Sequence, residues 1–358
     1  MEEFKALWAE NIDAKVETTV RTFNEEDLPD GEVLIEVHYS SVNYKDGLAG
    51  TNPKSGVIRN YPMILGIDLS GVVVESLDPT FQAGDKVIVT GYGLGVSHFG
   101  GFSQYARVPA AWVVPLPEGL SLREAMIFGT AGYTAAESVD ALEKQGIQPQ
   151  MGNVLVTGAS GGVGGMAIAM LKRLGYTVEA VSRKKADCTD YLKKGLGAEA
   201  VLHPDEVALE KKRPLAQQRW AAIVDPVGGP MLPDLLAQLH YGGCMALSGN
   251  AGGIAFEATV LPFILRGVKL VGIDSVSHPY AERIKLWGRM ASDLKPENLD
   301  LLVEQEITLE DLPVAFEKIM EGKMHGRTLV KVKQGICSVW HNQQNGKAPA
   351  IRSFCRFF

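Results

Sequence analysis

The sequence predicts an α/β protein, with a doubly wound parallel sheet joined to a second, β-rich domain of barrel type. Three observations carry this expectation. From residue 153 onward, apolar β-branched runs alternate with stretches of helical spacing, as in strand–helix–strand crossovers. The first third holds closely spaced short strands divided by glycine turns. The third is a glycine-rich turn, TGASGGVGG at 157–165, set between an apolar strand and an apolar helix.

The chain opens on MEEFKALWAENI, acidic and without the apolar core of a signal peptide, so no secretory leader is expected. The β-branched run at 33–39 follows the turn signal Leu28-Pro29-Asp30-Gly31 and reads as a strand. Further strands are expected in GIDLSGVVVES (66–76) and in GDKVIVTGYG (84–93), which a Gly-Asp turn opens. At Ser121 the period changes. SLREAMIFGTAGYTAAESVDALEKQG reads as one helix, with Ser121 as N-cap and Glu124 completing a capping box.

Six strands are then expected: NVLVTGA, TVEAVSR, AEAVLH, AAIVDPV, CMALSGN and VKLVGID. Between the first two, GGMAIAMLKRLG is apolar at helical spacing and ends on Gly175 as C-cap. Residues from about 277 to 333 contain two helical stretches and a short strand, RTLVKVK. The last segment, 335–358, follows no period; it is expected to be a disordered or loosely docked extension and is assigned no function. The expected division is 1–127 with 276–334 as one domain and 128–275 as the other.

Composition narrows the function. Hydrophobic residues at 46% and charged residues at 22% fit a globular protein and not a disordered one. A net charge of −7 argues against a general nucleic-acid or anionic-membrane surface. No apolar stretch approaches the ~20 residues that cross a bilayer. The four cysteines are scattered, without a CxxC pair, which fits reduced thiols in a cytoplasmic protein.

The chemistry begins at the glycine turn. A strand running through glycines into a helix exposes backbone N–H groups and the helix N-terminus to a pyrophosphate. Ser160, Gly161, Gly162, Val163 and Gly164 are therefore the expected dinucleotide cradle. About 20 residues further on, an NAD-specific site would place an acid on the ribose hydroxyls. This chain has Ser182-Arg183-Lys184-Lys185 there. A hydroxyl and cations bind a 2′-phosphate that a carboxylate would repel, so NADPH is expected over NADH.

At this point the layout resembles the medium-chain dehydrogenase/reductase superfamily over about residues 1–333. The GTAGYTA helix (129–135) and the glycine turn resemble its zinc-free quinone-oxidoreductase branch. SSVNYKDGLAG (40–50), IRNYPMILGIDLSG (58–71), TVLPFILRGVKLVGIDSV (259–276) and GRTLVKVK (326–333) resemble its acrylyl-CoA reductase subgroup. The resemblance implies a Rossmann sheet for the cofactor, a GroES-like barrel for the substrate, and pairing of two copies through the cofactor domain's sheet edge.

Zinc-dependent members of this superfamily place a Cys where Asn43 stands and Gly-His-Glu where Gly66-Ile67-Asp68 stand. Isoleucine has no donor atom and asparagine is a poor zinc ligand, so no metal is expected. His38 and His98 lack companions at metal spacing. The resemblance also places Asn43-Tyr44-Lys45-Asp46 beside the nicotinamide. Tyr44 is a candidate to contact the nicotinamide or to donate a hydrogen bond or proton to substrate, with a packed tyrosine as the alternative. Asn43 is a candidate to orient a substrate carbonyl, and Lys45 and Asp46 to form a structural pair. Thr130 resembles the nicotinamide contact at the domain junction. Ser248-Gly249-Asn250 ends a strand at the sheet's carboxyl edge, where ligands of such folds collect.

Three function classes follow. The first is an NADPH-dependent reductase of an activated C=C bond in an enoyl thioester such as acrylyl-CoA. The second is an NADPH:quinone reductase. The third is a nucleotide-binding protein without turnover.

Overall fold

The computed structural model describes residues 3–333. The extension expected at 335–358, with Cys337 and Cys355, lies outside the described residues. Strands β1 (Phe4–Ile12) and β2 (Lys15–Phe23) form an antiparallel hairpin. Its two-residue turn, Asp13-Ala14, has positive φ at both positions, as a type I′ turn requires. After β3 (Val33–Ser41) the chain turns through Asn43 into helix α1 (Tyr44–Thr51). Strand β4 (Met63–Ile64) joins the hairpin in the order β2-β1-β4.

Strands β5 (Asp68–Ser76), β6 (Lys86–Thr90), β7 (Tyr105–Val108) and β8 (Val114–Pro115) build the larger β-sheet around β3. It is completed from the far end of the chain by β15 (Val303–Ile307) and β16 (Arg327–Lys331), in the order β15-β16-β3-β5-β6-β8, with β7 also paired to β3. Its interior holds Val33, Ile35 and Val37 of β3 packed with Leu69, Val87, Val89 and Phe316.

Helix α2 (Leu122–Lys144) starts on the expected box: Ser121 Oγ accepts from the Glu124 amide at 3.2 Å, and Glu124 Oε2 accepts from the Ser121 amide at 2.8 Å. It is not continuous, however. Gly129 breaks it at φ 50° and ψ −157°. A Cβ there would lie 2.5 Å from both Asp68 Oδ2 and Ser41 Oγ, so only glycine fits.

The second half alternates as expected: β9 (Val154–Val156), α3 (Gly162–Arg173), β10 (Val178–Val181), α4 (Lys185–Asp190), β11 (Ala200–Leu202), α5 (Pro204–Val207), β12 (Trp220–Asp225), α6 (Leu232–Leu236), β13 (Leu239–Leu247), α7 (Leu261–Arg266) and β14 (Lys269–Gly272). All six strands are parallel, in the order β11-β10-β9-β12-β13-β14. Every residue of β9 and β12 is buried, because helices cover both sheet faces. Gly175 ends α3 with φ 86°. After α8 (Tyr280–Met290) come β15 (Val303–Ile307), α9 (Leu312–Met320) and β16 (Arg327–Lys331). Leu286, Trp287 and Met290 of α8 pack into the core shared by α2, α3 and the parallel sheet.

Candidate active site

Asn43, Tyr44, Thr130, the turn from Ser160 to Gly164, Ser182 to Lys184 and Ser248 to Asn250 all line one cleft of about 700 Å³. At its centre β9 runs through the glycine turn into α3. Gly158, at φ 55°, accepts the Gly161 amide at 2.9 Å. A Cβ on Gly164 would lie 2.4 Å from the Gly158 carbonyl, so glycine lets α3 start hard against the turn. Gly161 is the N-cap of this twelve-residue helix, whose first N–H groups and positive dipole end face the cleft with Gly162 and Val163. Ser160 is buried, and its carbonyl accepts from the Gly326 amide at 3.0 Å.

The basic turn lies beyond β10. Ser182 is buried; its hydroxyl accepts from the Lys184 amide at 3.1 Å and lies 3.3 Å from Ser160 Oγ. Arg183 is exposed and its guanidinium has no partner among the described residues. Lys184 Nζ donates to the Met324 carbonyl at 3.0 Å, and burial lowers its pKa. Lys185 is taken by Glu206 at 2.6 Å. Across the cleft, Gly249 lies against Pro226, where a Cβ would come within 1.9 Å of the carbonyl oxygen. Ser248 Oγ is buried without a partner among the described residues, and Asn250 is exposed at the rim.

The opposite end is organised by a residue the sequence reading did not select. Asp68, fully buried at the start of β5, accepts from Ser41 Oγ at 2.6 Å, Asn43 Nδ2 at 2.7 Å and the Thr130 amide at 2.9 Å. The Thr130 hydroxyl donates to it as well. Arg327, only 2% exposed at the head of β16, stands 3.8 Å from the same carboxylate. Its guanidinium donates to Ser41 Oγ (2.7 Å), Asn43 Oδ1 (3.2 Å) and the carbonyls of Val42 (3.2 Å) and Ile127 (3.0 Å). Burial lowers the pKa of Arg327, against the opposing pull of Asp68 and Asp46.

This network corrects two expectations. Asn43 does not reach for a substrate carbonyl: its Oδ1 is held by Arg327 and its Nδ2 by Asp68 and the Ser41 carbonyl. Both ends of the amide being engaged, it is a positioning residue. Asp46 does not pair with Lys45. It is buried, accepting from the backbone amides of Asn43 at 2.8 Å and Ile67 at 3.1 Å. Burial, reinforced by the charge of Asp68, raises its pKa to about 7. Lys45 lines the cleft without a partner among the described residues. Tyr44, 39% exposed at the first turn of α1, presents a hydroxyl that likewise meets no partner among them.

The residues fit a dinucleotide: a helix N-terminus, glycine cradles that a Cβ would fill, and the partnerless hydroxyl of Ser248 all line the same cleft. They do not fit zinc. Ile67 has no donor atom, and a guanidinium already sits on Asn43 Oδ1. Among the described residues no three His, Cys, Asp or Glu side chains gather as a metal site. His38 contacts Glu36 at 3.2 Å, and His98 contacts the Arg107 carbonyl at 2.7 Å.

A glycine-turn Rossmann sheet joined to this β domain defines a class of dinucleotide-dependent oxidoreductases. Residues 29–118 match the family model described as "Alcohol dehydrogenase GroES-like domain", and residues 162–291 match the one described as "Zinc-binding dehydrogenase". The chain belongs to the medium-chain dehydrogenase/reductase superfamily. It is 52% identical to "Putative quinone oxidoreductase YhfP" of Bacillus subtilis, over 92% of this chain and 99% of that protein. The crystal structure of Bacillus subtilis yhfP with NAD bound superposes with a TM-score of 0.90 at 51% identity, covering 92% of this chain and all of that one. Acrylyl-CoA reductase AcuI of Ruegeria pomeroyi is 48% identical, over 89% of this chain and 95% of that protein. The yhdH oxidoreductase of Salmonella enterica, solved in complex with NADP, is 50% identical with a TM-score of 0.88, covering 92% of this chain and all of that one.

Proposed function

We propose that the protein is an NADPH-dependent reductase of activated C=C bonds, with an enoyl thioester such as acrylyl-CoA as substrate. One observation carries this reading. The cleft has a partnerless guanidinium, Arg183, at the end of β10, and a partnerless phenol, Tyr44, at the other end. The first suits a 2′-phosphate and the second a substrate that gains a proton. NADPH supplies the hydride; the protein supplies position, exclusion of water and a hydrogen-bond donor. Gly161 to Gly164 hold the diphosphate at the start of α3, and Ser182, Arg183 and Lys184 hold the 2′-phosphate. Asp68 takes the hydrogen of the Thr130 hydroxyl, which leaves that oxygen to accept from a carboxamide. Arg327 and Asp68 fix Asn43, and through it the entry into α1 that carries Tyr44. Ser248, Gly249 and Asn250 wall the far side.

The name given to the Bacillus subtilis relative supports a second reading, NADPH:quinone reduction in the same cleft. Purified protein with NADPH is offered acrylyl-CoA and a benzoquinone in parallel. The expected outcome is a kcat/KM at least tenfold higher for acrylyl-CoA. Preference for the quinone overturns the thioester assignment, and turnover of neither overturns the enzyme.

The same reading divides the chain into 1–127 with 276–334 for the substrate and 128–275 for the cofactor. It includes a homodimer paired through β14. That strand is the sheet's edge, and the neighbouring Ile254, Val260, Ile264 and Leu265 are 56–90% exposed. A cytoplasmic location fits the buried free thiols of Cys188 and Cys244.

A further inference from the structure

We infer that Lys184 is a positioning residue as well as a phosphate contact. It ties the cofactor's 2′-phosphate to the segment 321–326 between α9 and β16, and through α9 to the helix that carries Tyr44. The inference rests on the placement of the 2′-phosphate at Ser182 to Lys184 proposed above and deepens it. The segment reaches across the cleft to the parallel-sheet side at two points. The Gly326 amide donates to the Ser160 carbonyl at 3.0 Å, and the Met324 carbonyl accepts from Lys184 Nζ at 3.0 Å. Gly322, at φ 67°, passes Arg183 so closely that a Cβ would stand 3.7 Å from its guanidinium. From the other side Glu304 of β15 holds the segment, accepting from the His325 amide at 2.8 Å and from Lys318 Nζ at 2.6 Å.

The contacts beyond Met324 are packed without slack. Its side chain is buried in the same core as Phe316 of α9 and Ala49 of α1. A Cβ on Gly47 would lie 2.7 Å from Ile319 Cγ2, and one on Gly50 would lie 2.4 Å from the Phe316 ring. Helices in such contact shift together, because no gap between them absorbs a displacement. Tyr44 opens α1 and moves with it. At the other end, an ammonium has three donors. Lys184 uses one on Met324, and the others meet no partner among the described residues, so they are free for a phosphate. Burial lowers the pKa of Lys184, and an anionic 2′-phosphate counters this by favouring the charged form that donates to Met324. The ribose of NADH offers hydroxyls there and no charge, which leaves that tie weaker. The 2′-phosphate therefore does more than raise affinity. It holds the segment, α9 and the first turn of α1 in place, so kcat depends on it as well as KM.

Hydrogen exchange read by mass spectrometry, on the full chain saturated with NADP+ or with NAD+, follows these elements directly. Amides of 321–326 and of α1 should exchange about tenfold more slowly with NADP+ than with NAD+, as one charge-assisted hydrogen bond implies. In Lys184→Met, saturated with each cofactor in turn, that difference should vanish at both places. Its kcat with saturating NADPH should fall about tenfold, toward the value with NADH, on whichever of acrylyl-CoA or a benzoquinone the wild type reduces. Lys184→Arg, which keeps a charged donor, should restore most of both effects. Equal protection by the two cofactors in the wild type overturns the inference, as does a difference that survives in Lys184→Met or stops short of α1. The phosphate placement is judged separately, by affinity. If Lys184→Met binds NADPH as tightly as the wild type, that placement fails and the inference with it; weakened binding with unchanged protection refutes the coupling alone.

Discussion

Removing the buried guanidinium of Arg327 should be among the most damaging single changes to this fold and its site. In Arg327→Met the side-chain volume is largely kept while every donor is lost. Asp68 would remain at 0% exposure without its countercharge, 3.8 Å away in the native protein. The carbonyls of Val42 and Ile127 and the amide oxygen of Asn43 would each lose a donor. Breaking one partner of a buried ion pair costs about 3–5 kcal/mol. Against a total stability of about 5–15 kcal/mol, that is a large share. The thermal midpoint should fall by roughly 6–20 °C, at about 2–4 °C per kcal/mol for a domain of this size. Asp68→Asn combined with Arg327→Met should recover part of the loss, because the uncompensated charge is then gone. Thermal and urea unfolding of the two single variants and the double variant measure this. A loss below about 1 kcal/mol in Arg327→Met, or strict additivity in the pair, would refute the reasoning.

The other predictions address cofactor, protonation and the cleft's phenol. Arg183→Asp should weaken NADPH binding and shift preference toward NADH, read by fluorescence titration of both; unchanged NADPH affinity would remove Arg183 from the phosphate site. Asp46, with its pKa raised to about 7, holds a proton in the native state that the unfolded chain releases near pH 4. Native protein therefore binds the extra proton between those values, and the group's contribution to stability declines as pH rises from about 4 to about 7. Asp46→Asn removes that slope, so its stability relative to wild type should improve on going from pH 5 to pH 8, by an amount on the order of a few kcal/mol; a constant difference would contradict it. Tyr44→Phe should lower kcat on acrylyl-CoA by roughly 10- to 1,000-fold with little change in NADPH binding. Equal losses on thioester and quinone with weakened cofactor binding would make Tyr44 a packing residue.

The parallel sheet was legible because strands buried on both faces read as continuous apolar runs, and all six expected runs are strands. The β1–β2 hairpin was not. Its turn, Asp13-Ala14, lacks the glycine that usually marks positive φ, and β2 buries neither face fully. Strand β15, VEQEI, is a short polar edge strand whose pairing with β16 supplies what its sequence does not. The break in α2 at Gly129 is imposed from a distance, since Asp68 requires the Thr130 amide and hydroxyl at its carboxylate.

The same holds for the site. The glycine turn and the basic turn are local patterns whose chemistry sits in consecutive residues. Asp68 and Arg327 acquire their roles only by being buried together. In the sequence they appear as an acid opening the apolar strand DLSGVVV and a base opening RTLVK. The signal available was a charge at the head of a run otherwise suited to burial, which demands a partner somewhere in the fold.

The proposed activity is hydride delivery from NADPH to the carbon–carbon double bond of an enoyl thioester in this cleft. The direct measurement is the mass and proton NMR spectrum of the product formed from acrylyl-CoA and NADPH carrying deuterium at both C4 positions of the nicotinamide. The expected product is propionyl-CoA with one deuterium on the β carbon, the α carbon taking its proton from the protein or solvent, and one NADPH oxidised per thioester reduced. Acrylyl-CoA recovered unchanged while a benzoquinone consumes the same NADPH would contradict it.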